Sequence, residues 1–239
     1  MNIFLYDELT DKYKKKIKKT EEELNRLNLQ GKILYLKNVK NLKETLLEEI
    51  NNGAKTIISV GNNLTINNVV NILANISENI PVSLIPIGPN NSIAESMGIF
   101  NEKEACFILS SRRIENIMLA QANNKFFIEN SYIKNEGSRI YINNSFKILT
   151  EKSGNSFFYN IPPKKYLKKS SVNPKDKLIH LYIRTGLKNE THLSGENIEI
   201  KNEKEYLILD SSIQEALPAT IKISNKSIPF IVGKERSFE

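Results

Sequence analysis

The chain has 239 residues, 40 % of them hydrophobic and 26 % charged, an ordinary globular balance with length for one large domain or two modest ones. Its single cysteine, Cys106, excludes an internal disulfide framework and any cysteine metal cluster, and with only His180 and His192 besides, no His/Cys zinc site is expected. The net charge of +7 is spread along the whole chain, so it selects neither nucleic acid, nor an anionic membrane, nor a phosphorylated ligand.

The start, MNIFLYDELTDKYKKK, has an apolar stretch too short for a signal peptide and turns acidic directly behind it. No apolar run approaches the roughly 20 residues that span a bilayer, so a cytoplasmic chain is expected. NIFLY (2–6) predicts a strand, and Thr10 and Asp11 offer N-cap chemistry for a long charged helix reaching about Leu29. Within that helix KYKKKIKK is followed by TEEEL, which describes a solvated face better than a nucleic-acid patch. KILYL (32–36) is the next strand, and Asn41 caps a helix whose Leu42, Leu46, Leu47 and Ile50 share one face. KTIISV (55–60) is the third strand. The helix after Gly61 carries Ile66, Val69, Val70, Leu73 and Ile76 as one apolar stripe. VSLIPIG (82–88) is the fourth strand, Ser92 and Glu95 form a capping box over a short helix, and a further helix covers 102–111. Repeated β-α units with β-branched strands imply a parallel sheet covered on both faces.

Past Arg113 the period changes. FFIENSYI, SRIYIN, SFKILTE, KLIHLYIRTG, NIEIKN, EYLILD, ATIKIS and IPFIVG are short runs, many alternating apolar and polar, separated by Asn-Asn, Ser-Gly, Pro-Pro and Lys-Asn turns. The fold class expected is therefore α/β: a Rossmann-like N-terminal domain over 1–112 with a mostly parallel sheet. A β-rich, antiparallel sandwich domain over 113–239 follows it. The stretch 159–177, rich in lysine and proline, reads as the most mobile loop.

Ligands of open parallel sheets bind beyond the carboxyl ends of the strands. Two loops lie there: Gly61-Asn62-Asn63-Leu64-Thr65 after the third strand, and Gly88-Pro89-Asn90-Asn91-Ser92 after the fourth. If Thr65 caps its helix, the first-turn N–H groups face the strand end and make an anion site. Ordinary βα turns, with Asn chosen for its tolerance of left-handed backbone, account for the same residues.

The segments SVGNNLTINNVVN and IPIGPNNSIAESMGI resemble the catalytic domain of the diacylglycerol kinase and sphingosine kinase family. Gly61, Thr65, Ile66, Asn67, Val69, Val70 and Asn71 fall on its Gly-Gly-Asp-Gly-Thr-Ile-Asn-Glu-Val-Val-Asn pattern. Pro86, Gly88, Asn91, Ala94, Gly98 and Ile99 fall on its second, Pro-Leu-Gly-Thr-Gly-Asn, pattern. The resemblance implies ATP and Mg²⁺ as cofactors, with Gly61, Asn62, Asn63, Leu64, Thr65, Gly88, Pro89, Asn90 and Asn91 around the nucleotide. Asp210, in YLILDSSIQEALPATIKI, takes the place of a catalytic aspartate. As partners it implies a nucleotide, a lipid or peripheral membrane surface and a second copy of the chain, with no nucleic acid expected.

The departures fall on the chemistry. Asn63 stands where the family has its acid, and a carboxamide neither accepts a proton at neutral pH nor neutralises Mg²⁺. Ser212 stands where a glutamate base is expected, with Glu215 nearby in sequence. Leu64 replaces a glycine, and would strain the turn by about 1–3 kcal/mol if its position needs positive φ. Two activities are expected on these terms. One is ATP-dependent phosphoryl transfer to a lipid-type hydroxyl; the other is an impaired descendant binding a nucleotide or other anion through the same loops. A purely structural or assembly role also fits these residues.

Overall fold

The computed structural model describes residues 1–76, 79–161, 177–185 and 189–238. The proposed mobile loop lies largely outside the described residues, at 162–176. Two compact units emerge, one of Met1–Ile117 with Ser227–Arg236, the other of Met118–Lys226 with Ser237–Glu239.

In the first unit β1 (Asn2–Tyr6) leads through a 3-10 turn (Glu8–Tyr13) into α1 (Lys14–Arg26). The expected cap at Thr10 and Asp11 thus falls inside the turn, where the Asp11 carboxylate accepts a hydrogen bond from Lys37 Nζ at 2.8 Å instead. Then come β2 (Gly31–Tyr35), α2 (Leu42–Asn51), β3 (Thr56–Gly61), α3 (Asn63–Leu73), β4 (Val82–Pro86), α4 (Ser92–Ser96) and α5 (Glu102–Ser111). Asn41 caps α2 as read, accepting from Glu44 N at 3.3 Å. The sheet order is β2-β1-β3-β4, each pair parallel and in continuous register, for example Ile3 opposite Ile57 and Ile58 opposite Ser83. Every residue of β3 and β4 is buried, which is what a parallel strand covered on both faces requires. The stripe of α3 supplies Ile66, Val69, Val70 and Leu73 to that core, each at most 2 % exposed.

In chain order the second half continues with β5 (Ile114–Ala122), β6 (Lys125–Phe127), β7 (Asn130–Lys134), β8 (Ser138–Ile142), β9 (Phe146–Thr150) and β10 (Gly154–Tyr159). It ends with β11 (Ile179–Thr185), β12 (Asn189–Gly195), β13 (Asn197–Lys201), β14 (Leu207–Leu209), β15 (Ile213–Glu215) and β16 (Ala219–Ile231). β5 carries the chain out of the first unit, and the end of β16 returns to it, pairing parallel with β4 through Phe230 and Val82. Within the second unit two antiparallel layers form, β16-β13-β8-β9 and β12-β11-β10-β7-β14-β15. Ile140, Ile198 and Ile221 of the first layer and Ile133, Phe158, Leu181 and Leu209 of the second belong to one buried apolar cluster. Two sheets sharing an inner face is the sandwich arrangement read from the alternation. Among the described residues no helix is long and apolar enough to cross a membrane.

Candidate functional site

The parallel register puts the ends of β1, β3 and β4 side by side, so the chain leaving each strand meets its neighbours. Ile87 N donates to Gly61 O at 2.8 Å, which sets the second loop against the first. Asn63 N then donates to Asn90 O at 2.9 Å. The Asn63 side chain completes the link, donating through Nδ2 to Ser92 Oγ at 3.0 Å and accepting from Ile93 N at 3.2 Å. Asn63 is 1 % exposed. The two loops expected to share a site are therefore neighbours, joined by the residue that stands at the family's acidic position.

The backbone donors are used differently from the expectation. The N-cap of α3 is Asn62, not Thr65. Asn62 Oδ1 accepts from Leu64 N at 3.0 Å and also from Thr65 N, while Asn62 N donates to Thr65 Oγ1 at 3.4 Å. With Asn63 N given to Asn90 O, the N–H groups of residues 62 to 65 all have partners within the protein. The free first-turn amides assumed from sequence are not there. The Asn62 cap closes two of them, because its short carboxamide oxygen reaches the amides of Leu64 and Thr65 at once, and Thr65 Oγ1 and Asn90 O close the other two.

Leu64 lies inside the first turn of α3 and is absent from the residues with positive φ, so it carries no backbone strain. Its side chain is 42 % exposed beside the loops. In the second loop Gly88 and Asn90 take the left-handed geometry, at φ +80° and +63°, and Pro89 and Asn90 are exposed. Asn91 Nδ2 donates to Gly88 O at 2.7 Å, which fixes which end of that amide is oxygen. Asn91 Oδ1 is enclosed and has no hydrogen-bond partner among the described residues. Ser92 begins α4 but Asn91 is its N-cap, without a side-chain capping bond, so the expected capping box does not form.

One residue of the site escaped the sequence reading. Asp7 follows β1 directly; its N–H donates to Val60 O at 3.0 Å and its Oδ2 accepts from Thr65 Oγ1. A Cβ on Gly61 would come within 2.9 Å of Asp7 Cβ, so glycine is what lets the strand ends close up. The signal was available, since a carboxylate one residue past a parallel strand lies at the ligand-binding edge of such a sheet.

Asp210, in the second unit, is fully enclosed in an αL turn at φ +45°. Its carboxylate accepts from Ile128 N, Glu129 N and Asn130 N at 2.7, 2.8 and 2.9 Å. That geometry suits holding the segment between β6 and β7 in place. Ser212 Oγ donates to Leu209 O at 3.5 Å, and Glu215 accepts from Asn123 Nδ2 at 2.9 Å and pairs with Lys125 Nζ at 3.0 Å. Glu215 is thus engaged on the β5–β6 turn. Among the described residues no cluster of three His, Cys, Asp or Glu could hold a metal ion.

The phosphate groups of a nucleotide do not fit the start of α3 as it stands, because the donors they would need are taken and the carboxylate of Asp7 lies against the same turn. Residues 7–122 match the family model described as the diacylglycerol kinase catalytic domain. No curated protein matches the chain. Among solved structures it is similar to a diacylglycerol kinase from Bacillus anthracis str. Sterne, at 16 % identity and a TM-score of 0.69, covering 98 % of this chain and 96 % of that one. It is also similar to an NAD kinase from Archaeoglobus fulgidus solved in complex with ATP, at 15 % identity and a TM-score of 0.61, covering 99 % and 95 %. At those identities the likeness is one of fold.

Proposed function

We propose that this diacylglycerol-kinase-like chain is a kinase relative impaired in phosphoryl transfer, whose two strand-end loops serve as a nucleotide-binding site. One observation carries the reading: Asn63, at the position of the expected acid, is enclosed and spends its amide joining the loops. Phosphoryl transfer depends on charge neutralisation and on a group that orients or deprotonates the acceptor hydroxyl. Mg-ATP, where bound, would bring the transferable group and divalent charge. Asn63 offers that chemistry no proton acceptor, and the cap of α3 offers the phosphates no donor. Asp210 enters the proposal as a positioning residue and Glu215 as a partner of Lys125. A lipid-type alcohol as acceptor, a peripheral membrane surface and a second copy of the chain rest on the family likeness.

The test is transfer from Mg-ATP to diacylglycerol or to a long-chain base. Losing general-base help lowers rates by roughly 10²–10⁴-fold, so turnover should fall far below the ordinary enzyme range of about 10 s⁻¹. Asn63→Asp should raise whatever transfer remains. Wild-type turnover at ordinary rates would restore the active lipid kinase as the correct reading.

A further inference from the structure

The parallel sheet of the first unit ends on an open edge. β2 is its last strand and pairs only with β1 among the described residues, which leaves the outer backbone groups of a five-residue strand unused by the sheet. Ile33 and Tyr35 are 41 % and 42 % exposed on it. Folded chains blunt such edges with proline, a bulge or a charge pointing outward. GKILY has no proline, and its register against β1 is unbroken from Asn2–Gly31 to Tyr6–Tyr35. Lys32, its one charge, is drawn onto Glu49 of α2. Between α1 and this strand lies a cavity of about 400 Å³, walled by Phe4, Leu24, Leu29, Gly31 and Ile33 among others. Gly31 adds no side chain beside it and none can be added, because a Cβ there would sit 2.2 Å from Asn2 O.

We propose that β2 is a homotypic docking edge: β2 of a second copy pairs antiparallel with it about a two-fold axis at Ile33, and Tyr35 of each copy enters the cavity beside Gly31 of the other. In that register Gly31 faces Tyr35, Lys32 faces Leu34 and Ile33 faces itself, so the whole strand is matched by its own sequence. An aromatic ring opposite a glycine covers backbone that the glycine leaves bare. Tyr35 already leans on Tyr6 of its own chain, with ring centroids 5.5 Å apart, and its remaining surface is the part open to a partner. Directly opposite each Lys32 is a leucine, and the ammonium keeps its pairing with Glu49. The rival edge is β9, FKILT, where Phe146 is 69 % exposed. Paired with itself about Ile148, that strand sets Phe146 against Thr150 and offers the ring no glycine to cover. The inference deepens the proposed function, which includes a second copy of the chain, and does not involve its nucleotide loops.

Sedimentation equilibrium on the full chain is the test, over about 1–500 μM because a strand-mediated contact belongs to the weak, low-area class of interfaces. Wild type should dimerise within that range and stop at two copies, since each copy has one β2. Ile33→Lys sets two ammonium groups face to face on the axis and should weaken association at least tenfold. Tyr35→Ala, which empties the cavity again, should weaken it fivefold or more, and Phe146→Ser on β9 should leave it unchanged. Ile33→Cys gives a reading that does not depend on those variants folding. Directly opposed residues of antiparallel strands have Cα atoms about 4.5–5.5 Å apart, so a short bismaleimide should join two copies of this variant. Wild type, whose Cys106 is enclosed, should stay unlinked. A monomer throughout the range, with no cross-link through Cys at 33, overturns the inference and leaves the nucleotide reading of the loops standing. A dimer that survives Ile33→Lys, or that Phe146→Ser releases, keeps the second copy but moves it off β2 and overturns the inference too. Growth past two copies overturns the two-fold closure. A β2-dependent dimer that binds no nucleotide supports this edge and counts only against the proposed function.

Discussion

At the scale of single residues the chemistry turns on what an amide can do that a carboxylate cannot. Asn63 donates to Ser92 Oγ and accepts from Ile93 N at the same time, which links two loops through one enclosed side chain. Removing it leaves a buried N–H without a partner, and each such group costs about 1–3 kcal/mol. Asn63→Ala should therefore lower unfolding stability by roughly 2–4 kcal/mol, read from the urea midpoint. Asn63→Asp should cost less, because both of its oxygens accept and the Ser92 hydroxyl can rotate to donate. Equal, negligible losses for both variants would mean that the loops hold together without residue 63. The residues of this link were legible from the motif spacing. Their hydrogen bonds were not, because a strand-end asparagine suits a turn, a cap and an inter-loop tie equally well. Asp7 was passed over for a related reason: a carboxylate after NIFLY reads as solvent-facing charge until the neighbouring strand end is known to close on it.

At the scale of elements, the strongest local signals were the right ones. The stripe on α3 and the continuous apolar runs of β3 and β4 gave the buried faces directly, since a strand covered on both sides has no polar alternation to hide it. β12, NETHLSG, was not read as a strand. It is an edge strand whose pairing with β11 runs through the backbone, so its side chains carry no apolar period. ATIKIS and IPFIVG were read as separate runs, yet β16 joins them from Ala219 to Ile231, with exposed residues marking the middle of one long strand. Asp210 shows how an element boundary is held. Three backbone donors between β6 and β7 converge on its carboxylate. Asp210→Ala strands two fully buried amides and one half-buried, for an expected loss of at least about 3 kcal/mol. Hydrogen exchange should localise the damage, with the amides of Ile128 and Glu129 losing protection ahead of the β3–β4 core. Unchanged protection at those two amides would remove the stapling role from Asp210.

At the scale of the whole chain, pH reports on burial that sequence composition conceals. Cys106 is fully enclosed in α5, with its Sγ 3.3 Å from Glu102 O, and burial pushes its thiol from the usual value of 9.0 up to about 11. Tyr6, 1 % exposed, is likewise pushed far above the ordinary tyrosine range, first by burial and then by Glu21. Both groups stay neutral in the folded chain while the unfolded chain ionises at its ordinary values. The thiol's contribution to stability is therefore complete below pH 9 and is lost as pH rises toward 11, while that of the Tyr6 phenol is complete below pH 10.0 and is lost only at more alkaline pH. For Cys106 the rise from 9.0 to about 11 corresponds to on the order of 3 kcal/mol. The melting temperature should hold steady from neutral pH to about pH 9 and fall beyond it. Cys106→Ala, which removes the thiol from an apolar site, should flatten the first part of that fall, and Tyr6→Phe the later part. A thiol reagent at pH 8 should label wild-type protein only once it unfolds, since the reactive thiolate is both suppressed and covered. An alkaline slope that survives both substitutions would place its cause in Tyr159, which burial also holds far above the ordinary tyrosine range, or in exposed lysine pairs such as Lys37 with Asp11, whose lysine is held above its usual value.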